Sequence, residues 1–169
     1  MKIAVMGYSG AGKSTLARAL GERYGVPVLH FDQVHWAPGW QERDRVEAHR
    51  MVHQFMDNPA WVIDGNYTNF EYQRRLEEAD QIILLELSRL ACFARAWRRF
   101  FHYRGKTRAD MGEGCPEKMD AEFMRWILWE GRTRKKQAKF RQVAEQYPGK
   151  TVVLRTQKEI DRYLEGISC

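Results

Sequence analysis

Near the start of this 169-residue chain, the run "KIAVMGYSGAGKSTLARAL" sets an apolar stretch, a glycine-rich turn and a helix-forming stretch in immediate succession. Gly7, Gly12, Lys13 and Ser14 satisfy the pattern G-x-x-x-x-G-K-[ST] in full. That pattern works only where a buried strand delivers the turn and a helix leaves it, so it fixes one strand–turn–helix unit and points to a parallel sheet. Glycines let backbone N–H groups turn inward around anionic oxygens. The helix starting near Lys13 adds its unpaired N–H groups and the positive end of its dipole. Gly7, Ser9, Gly10, Ala11, Gly12, Lys13, Ser14 and Thr15 are therefore expected to hold the phosphates of a nucleotide. Lys13 would reach the β- and γ-phosphates, Ser14 would take a Mg²⁺ position, and Thr15 would cap the phosphates further back.

The rest of the chain fits that start. Apolar runs at 2–6, 26–30, 60–64, 81–87 and 151–155 read as five strands. They are continuous rather than alternating, as when helices cover both faces of a parallel sheet. Helical stretches are expected over 13–24, 43–57, 69–78, 88–102 and 157–165, with a long one over 116–147 bent or broken near Gly131. Strand–helix alternation of this kind predicts one α/β domain, residues 1–169, of three α/β/α layers with right-handed crossovers. Ligands in such sheets bind beyond the carboxyl ends of the strands, which directs attention to the residues just after 6, 30, 64, 87 and 155.

Several function classes are disfavoured. D-x-x-G and N-K-x-D, which a GTPase would carry, do not occur, and no apolar strand ends in Asp-Glu as in motor ATPases. The longest apolar run, "IILLEL" at 82–87, contains Glu86 and falls far short of the roughly 20 residues that span a bilayer. With no signal-like leader, a cytoplasmic protein without a membrane partner is expected. Cys92, Cys115 and Cys169 are odd in number and widely spaced, which argues for reduced thiols rather than a disulfide framework or zinc site. What remains is a small kinase, with the loop holding ATP and a second pocket holding an acceptor.

Two acids follow strand ends. Asp32 lies just past the second strand in "LHFDQVHW", and Asp64 ends the third in "WVIDGNY". Mg²⁺ takes water plus one or two carboxylates, and an acceptor hydroxyl needs a base or an orienting acceptor. Ser14, Asp32 and Asp64 are the candidate metal-associated residues; which acid supports the metal and which serves the acceptor stays open. Phe31, His35, Trp36 and Trp40 around Pro38-Gly39 suit either a flat or sugar-like acceptor or a small satellite core. The acceptor set expected here is Asp32, His35, Trp36, Asp64, Gly65 and Asn66.

The charge of +6 is uneven. Residues 95–108 carry six cations and no acid, and 132–141 carry six more with none. Such clusters suit an anionic partner, either nucleotide phosphates or a nucleic-acid backbone; the second also fits a solvated helix face. Arg95 and Arg99 are four apart and share a helix face after the fourth strand. Arginine supplies a rigid fork of donors for a moving phosphoryl group, so Arg95 and Arg99 join Lys13 and Asp32 as candidate catalytic residues. The polar, glycine-containing stretch that follows reads as an Arg-rich lid over 100–118. Phe123, Trp126, Ile127 and Trp129 at helical spacing read as packing residues.

The loop, Asp32, Asp64-Gly65 and Arg95/Arg99 together resemble the adenylate kinase and shikimate kinase class. A fuller resemblance, across nearly the whole chain, is to bacterial DNA topology modulation (FlaR-related) proteins, on "GKSTLAR", "FDQVHWAPGW", "VIDGNY" and "YRGKTRADMGEGCPEK". It implies the nucleoside-kinase-like P-loop arrangement with sheet order 2-3-1-4-5, Arg95 over the adenine, Arg99 on the phosphates, and the loop after "TVVLR" near the adenine. The residues themselves are read as a kinase with ATP as phosphate donor, Mg²⁺ and a small-molecule acceptor; nucleic acid, resting on the two basic clusters, is the second-ranked partner. One departure bears on the acceptor. Adenylate kinases follow Asp-Gly with Pro-Arg to hold AMP, whereas Asn66-Tyr67-Thr68 stands here. Arg74 and Arg75 could supply that cation or could face solvent.

Overall fold

A computed structural model describes residues 1–166; the thiol of Cys169 lies outside them. Elements run in chain order β1 (Lys2–Gly7), α1 (Lys13–Tyr24), β2 (Val28–His30), α2 (Phe31–His35), β3 (Trp36–Ala37), β4 (Gln41–Glu42), α3 (Arg45–Met56), β5 (Trp61–Asp64) and α4 (Tyr72–Glu78). They continue with β6 (Gln81–Leu85), α5 (Arg89–Tyr103), α6 (Ala121–Leu128), a 3₁₀ turn (Glu130–Arg132), α7 (Arg134–Gln146), β7 (Thr151–Leu154) and α8 (Gln157–Gly166).

The five apolar runs form one sheet in the order β2-β5-β1-β6-β7, and every pairing in it is parallel. Counting only those strands, the order is 2-3-1-4-5, as expected. Period-two geometry splits their side chains between two cores. Ala4, Met6, Trp61, Ile63, Ile82 and Leu84 pack with residues of α2, α3, α4 and α7. Ile3, Val5, Val62, Ile83 and Leu85 pack with residues of α1, α5, α6 and α8. Two covered faces explain why the strands read as continuous apolar runs.

Helix ends follow their caps. Asp44 accepts from Val46 and Glu47 N–H to start α3, Ser88 from Ala91 to start α5, Asp120 from Phe123 to start α6, and Thr133 from Lys136 to start α7. The long helical stretch expected over 116–147 is two helices separated by the 3₁₀ turn at Gly131, and 116–120 is not helical. Asp120 and Thr133, as caps, set both starts. The short α2 and the β3–β4 hairpin were not legible in the sequence; an element of five residues carries too little period to register.

The join between α5 and α6, residues 104–120, is neither helix nor extended strand. Single bridges pair Arg104 with Glu117 and Thr107 with Pro116, so the segment folds back on itself. It reaches the opposite rim, where Gly39 N–H donates to Gly114 C=O at 3.2 Å and the Cys115 thiol to Ala37 C=O at 3.3 Å. Gln33 also donates its side-chain amide to Ala109 C=O. This strap thereby spans from the end of α5 to the α2–β3 region.

Candidate active site

The glycine-rich loop leaves β1 at the carboxyl edge of the sheet, beside the ends of β5 and β6. Gly7 has φ +147°, and a Cβ there would lie 2.4 Å from Leu85 C=O, so only glycine lets β1 turn out of the sheet this close to β6. No side chain caps α1, in contrast to α3, α5, α6 and α7, which leaves its first N–H groups available to a ligand. The loop is braced from both sides. Asn66 accepts from Gly7 N–H at 3.0 Å and donates to Gly7 C=O at 2.7 Å. Trp126 of α6 donates its indole N–H to Ser9 Oγ at 3.0 Å. Arg132 lies 3.8 Å from the centre of the Tyr8 ring and donates to Leu87 C=O at 2.9 Å.

Lys13 donates to Tyr8 C=O at 3.3 Å. Burial pushes its pKa down, while Asp32 and Asp64 oppose that shift. Both acids are thus near enough for their charges to act on the lysine. Asp64 is buried, its Oδ1 is 3.2 Å from His30 Nδ1 on the neighbouring strand, and its Oδ2 has no hydrogen-bond partner among the described residues. Asp32 opens α2 and accepts from the Tyr67 hydroxyl at 2.9 Å. Burial raises the Asp32 pKa above the ordinary carboxylate range, Lys13 opposes, and Asp64 adds to the rise. Burial, then the Asp32 charge, push the Tyr67 hydroxyl up, so it stays a donor.

Those acids bear on a metal. An uncommitted, buried Asp64 oxygen beside the loop fits a Mg²⁺ ion that keeps most of its waters, with Ser14 as the loop's hydroxyl ligand. Among the described residues, no three His, Cys, Asp or Glu side chains converge into an all-protein metal site. The residues therefore fit a metal brought with phosphate oxygens and water, rather than one caged by protein.

Arginines enter from α5. Arg95 donates to Ala11 C=O at 2.6 Å and to the Gln157 side chain, so it bridges the loop and the residues following β7. Arg99 pairs with Glu117 at 2.8 Å, and Arg108 pairs with the other oxygen of Glu117 at 2.6 Å and with Asp110 at 2.8 Å. Asp110 accepts in turn from the Ser14 hydroxyl. Burial would raise the Asp110 pKa, but Arg108 and the Ser14 hydroxyl outweigh it and hold the carboxyl below its usual range. A chain of charge thus runs from the loop through the strap to α5.

The remaining expected residues have these places. Gly65 has φ +132°, and a Cβ there would lie 2.7 Å from Phe31 Cβ; it lets β5 approach α2. His35 lies between Trp36 and Tyr67, with ring centres 4.6 and 4.7 Å away, so these aromatics pack on one another beside Asp32. Arg74 is bound by Asp57 and Glu78. Arg75 is fully buried 4.5 Å from the Phe31 ring, where burial brings its pKa down to about 10. In the second basic cluster Arg132 is buried, whereas Arg134, Lys135, Lys139 and Arg141 are exposed. Phe123 and Ile127 of α6 pack into the core, whereas Trp129 is exposed and Trp126 braces the loop.

Sequence reading did not single out Tyr67, Arg108, Asp110, Glu117, Trp126 or Arg132 as parts of this site. Arg108, Asp110 and Glu117 stand in "YRGKTRADMGEGCPEK", where three acids among the cations were the available signal. The other three look like ordinary core or surface residues until the fold brings them to the loop.

No protein-family model and no curated protein sequence matches the chain. Two solved structures resemble it over nearly its whole length. Shikimate kinase from Bacteroides thetaiotaomicron is 14% identical with a TM-score of 0.51, covering 98% of this chain and 94% of that one. TT1252 from Thermus thermophilus is 13% identical with a TM-score of 0.53, covering 99% and 95%. At these identities the likeness is one of fold: a P-loop α/β fold of the shikimate-kinase-like kind.

Proposed function

We propose that the chain is an ATP-dependent kinase that transfers the γ-phosphate to a small nucleotide-, nucleoside- or sugar-like acceptor. The observation that supports this reading is the sheet order: β2 and β5, which lead to Asp32 and Asp64, lie on one side of β1, and β6, which leads to α5 with Arg95 and Arg99, lies on the other. The uncapped start of α1 and Lys13 bind the triphosphate. Ser14, as a hydroxyl ligand, and the free oxygen of Asp64, through water, would hold Mg²⁺, which would supply charge neutralisation to the phosphates. Asp32, its pKa raised and its orientation fixed by Tyr67, accepts the proton of the attacking hydroxyl. Arg99 and Arg108 follow the charge of the phosphoryl group in transit, and the strap over 104–120 excludes water as a lid. Arg95 and the residues around Gln157 flank the base.

The four strings quoted above support membership of the DNA topology modulation (FlaR-related) family within this class, a single domain and a cytoplasmic location. Among the described residues no helix is long and apolar enough to cross a membrane. The deciding experiment is transfer of labelled phosphate from ATP·Mg²⁺ to a panel of nucleosides, nucleotides, sugars and small acids. Lys13→Ala is expected to cut transfer by at least about 10³ while circular dichroism stays unchanged. No transfer to any member of a broad panel by the unaltered protein would sink this reading.

One observation favours a second reading, nucleotide-dependent binding of nucleic acid. Leu90, Trp97 and Phe101 are exposed on α5, with Arg98 and Arg104 beside them in a stretch free of acids. A steep fall of single-strand affinity with salt would support it; equal binding to heparin would not.

A further inference from the structure

Arg99 and Arg108, assigned to the phosphates in the kinase reading above, hold an anion supplied by the protein itself. Glu117 accepts from Arg99 on one oxygen, at 2.8 Å from Nη2 and 3.0 Å from Nε, and its other oxygen is ion-paired at 2.6 Å with Arg108 Nε, which makes no hydrogen bond among the described residues. Its side chain is only 4% exposed. A carboxylate ion-paired with two guanidinium groups fills the donors of Arg99 and neutralises the charge of Arg108, both of which a terminal phosphate would need. The bridge is also wired to the loop, because Arg108 holds Asp110 and Asp110 accepts from Ser14. Arg99 lies one turn along α5 from Arg95, which donates to Ala11 C=O of the loop at 2.6 Å. The contested donors therefore lie at the loop and not out on the surface.

We propose that Glu117 is a specificity-determining residue: it competes with the terminal phosphate of the nucleotide for Arg99 and Arg108, and so sets how strongly the site prefers a triphosphate over a diphosphate. This rests on the kinase reading above. A triphosphate displaces the Glu117 carboxylate from both guanidinium groups and takes their donors. A diphosphate fills the loop without reaching them and leaves the bridge closed. The preference for ATP over ADP is then smaller in the native chain than the arginine pair alone would give, because each ATP must break two charged contacts to bind.

Glu117→Gln tests this, since it keeps the shape and removes the charge. Binding of ATP·Mg²⁺ and ADP·Mg²⁺ is measured by titration calorimetry on the full chain, with thermal unfolding as the check on folding. The variant is expected to bind ATP about tenfold more tightly, the scale of one charge-assisted contact, and ADP within about twofold of the native value. Glu117→Asp keeps the charge but is too short to bridge both arginines; it is expected to show a gain of the same kind but smaller, and it keeps the test open if the glutamine variant unfolds. Unchanged or weaker ATP binding in a folded variant would overturn the proposal. Equal tightening of ATP and ADP would overturn it too, because a merely structural role of the bridge moves both together. If the native chain binds neither nucleotide, the kinase reading fails with it; if the native chain binds both and the variants leave their ratio unchanged, only the competitor role fails.

Discussion

The loop and the strap face each other across the same site and are held by different forces. The loop is held by contact and short backbone bonds: Gly7 against Leu85, both polar ends of the Asn66 amide on the Gly7 backbone, and the Trp126 indole on Ser9. The strap is held by charge, in the chain Arg99–Glu117–Arg108–Asp110, with a few single bonds to the α2–β3 region. Packing in a dry interior is stiff and indifferent to salt and pH. Ion pairs depend on both, and they can be exchanged for a ligand's charges without rebuilding a core. The phosphate cradle proposed for the loop needs the first property, and the cover proposed for the strap needs the second.

The sharpest way to break the loop half of this comparison is Gly7→Ala. Its Cβ would sit 2.4 Å from a backbone oxygen that cannot swing aside, at a φ that L-residues rarely adopt. A loss of about 3 kcal/mol or more in unfolding free energy is expected, with loss of nucleotide binding in whatever fraction folds. Denaturant unfolding measures it; a variant as stable as the native chain would mean the β1–β6 approach is softer than these distances imply.

The strap half predicts a local effect instead. Arg108→Gln leaves the Glu117 and Asp110 carboxylates buried with fewer counterions. Few apolar contacts cross from the strap to either core, so opening it should not unfold the sheet. Limited trypsin cleavage after Arg104 or Lys106 is expected to speed up about tenfold or more, while the thermal midpoint moves by only a few degrees. A collapse of the midpoint together with the cleavage would show that strap and core unfold as one unit.

The same contrast governs what could be read from the sequence. The sheet order and the loop were legible because their signals are local: continuous apolar runs, and a glycine–lysine spacing that one strand and one helix enforce. Asp32, Asp64, Arg95 and Arg99 were placed by rule, at strand ends and on one helix face; in the fold the acids follow β2 and end β5, Arg95 donates to Ala11 of the loop, and Arg99 lies one turn further along α5. The partners that tune them were not legible. Tyr67 reaches Asp32 across 35 positions and Trp126 reaches Ser9 across 117, and no periodicity links such pairs. Glu117 lies 18 positions from Arg99 in a stretch that reads only as polar cover, so its burial between two arginines has no one-dimensional signature. Asn66 and Gly65 show the converse. Their neighbourhood was legible, but their side-chain and backbone contacts go to Gly7 and Phe31, which the sequence does not reveal.

Asp32 carries the smallest expected effect on stability and separates catalytic need from stability most cleanly. Its pKa is raised by burial, so the folded chain favours the protonated form. Between the unfolded and folded pKa values the native state binds more protons than the unfolded one, and stability falls as pH rises through that window. Above the folded pKa the full penalty of a buried, ionised Asp32 is present. Asp32→Asn removes that penalty and keeps an oxygen to accept from the Tyr67 hydroxyl. The variant is therefore expected to melt about 2–4 °C higher at pH 7, the shift that a gain of about 1 kcal/mol makes in a chain of this size. The gain should shrink as pH falls through the folded Asp32 value. Asp110 runs in the opposite sense: its pKa is lowered, so its contribution persists above the ordinary carboxylate range and is lost only in stronger acid. Acidification from neutrality should thus relieve Asp32 before it frees the strap, and midpoints of native and variant chains against pH would show two separate limbs. Phosphoryl transfer by Asp32→Asn should fall by about 10²–10⁴, as for loss of a positioned base, with the acid limb of the native rate lying above the ordinary aspartate range. A variant that melts lower than the native chain at pH 7 would mean that the Lys13 and Tyr67 contacts of Asp32 outweigh its burial, and that this carboxylate is held for structure rather than for chemistry.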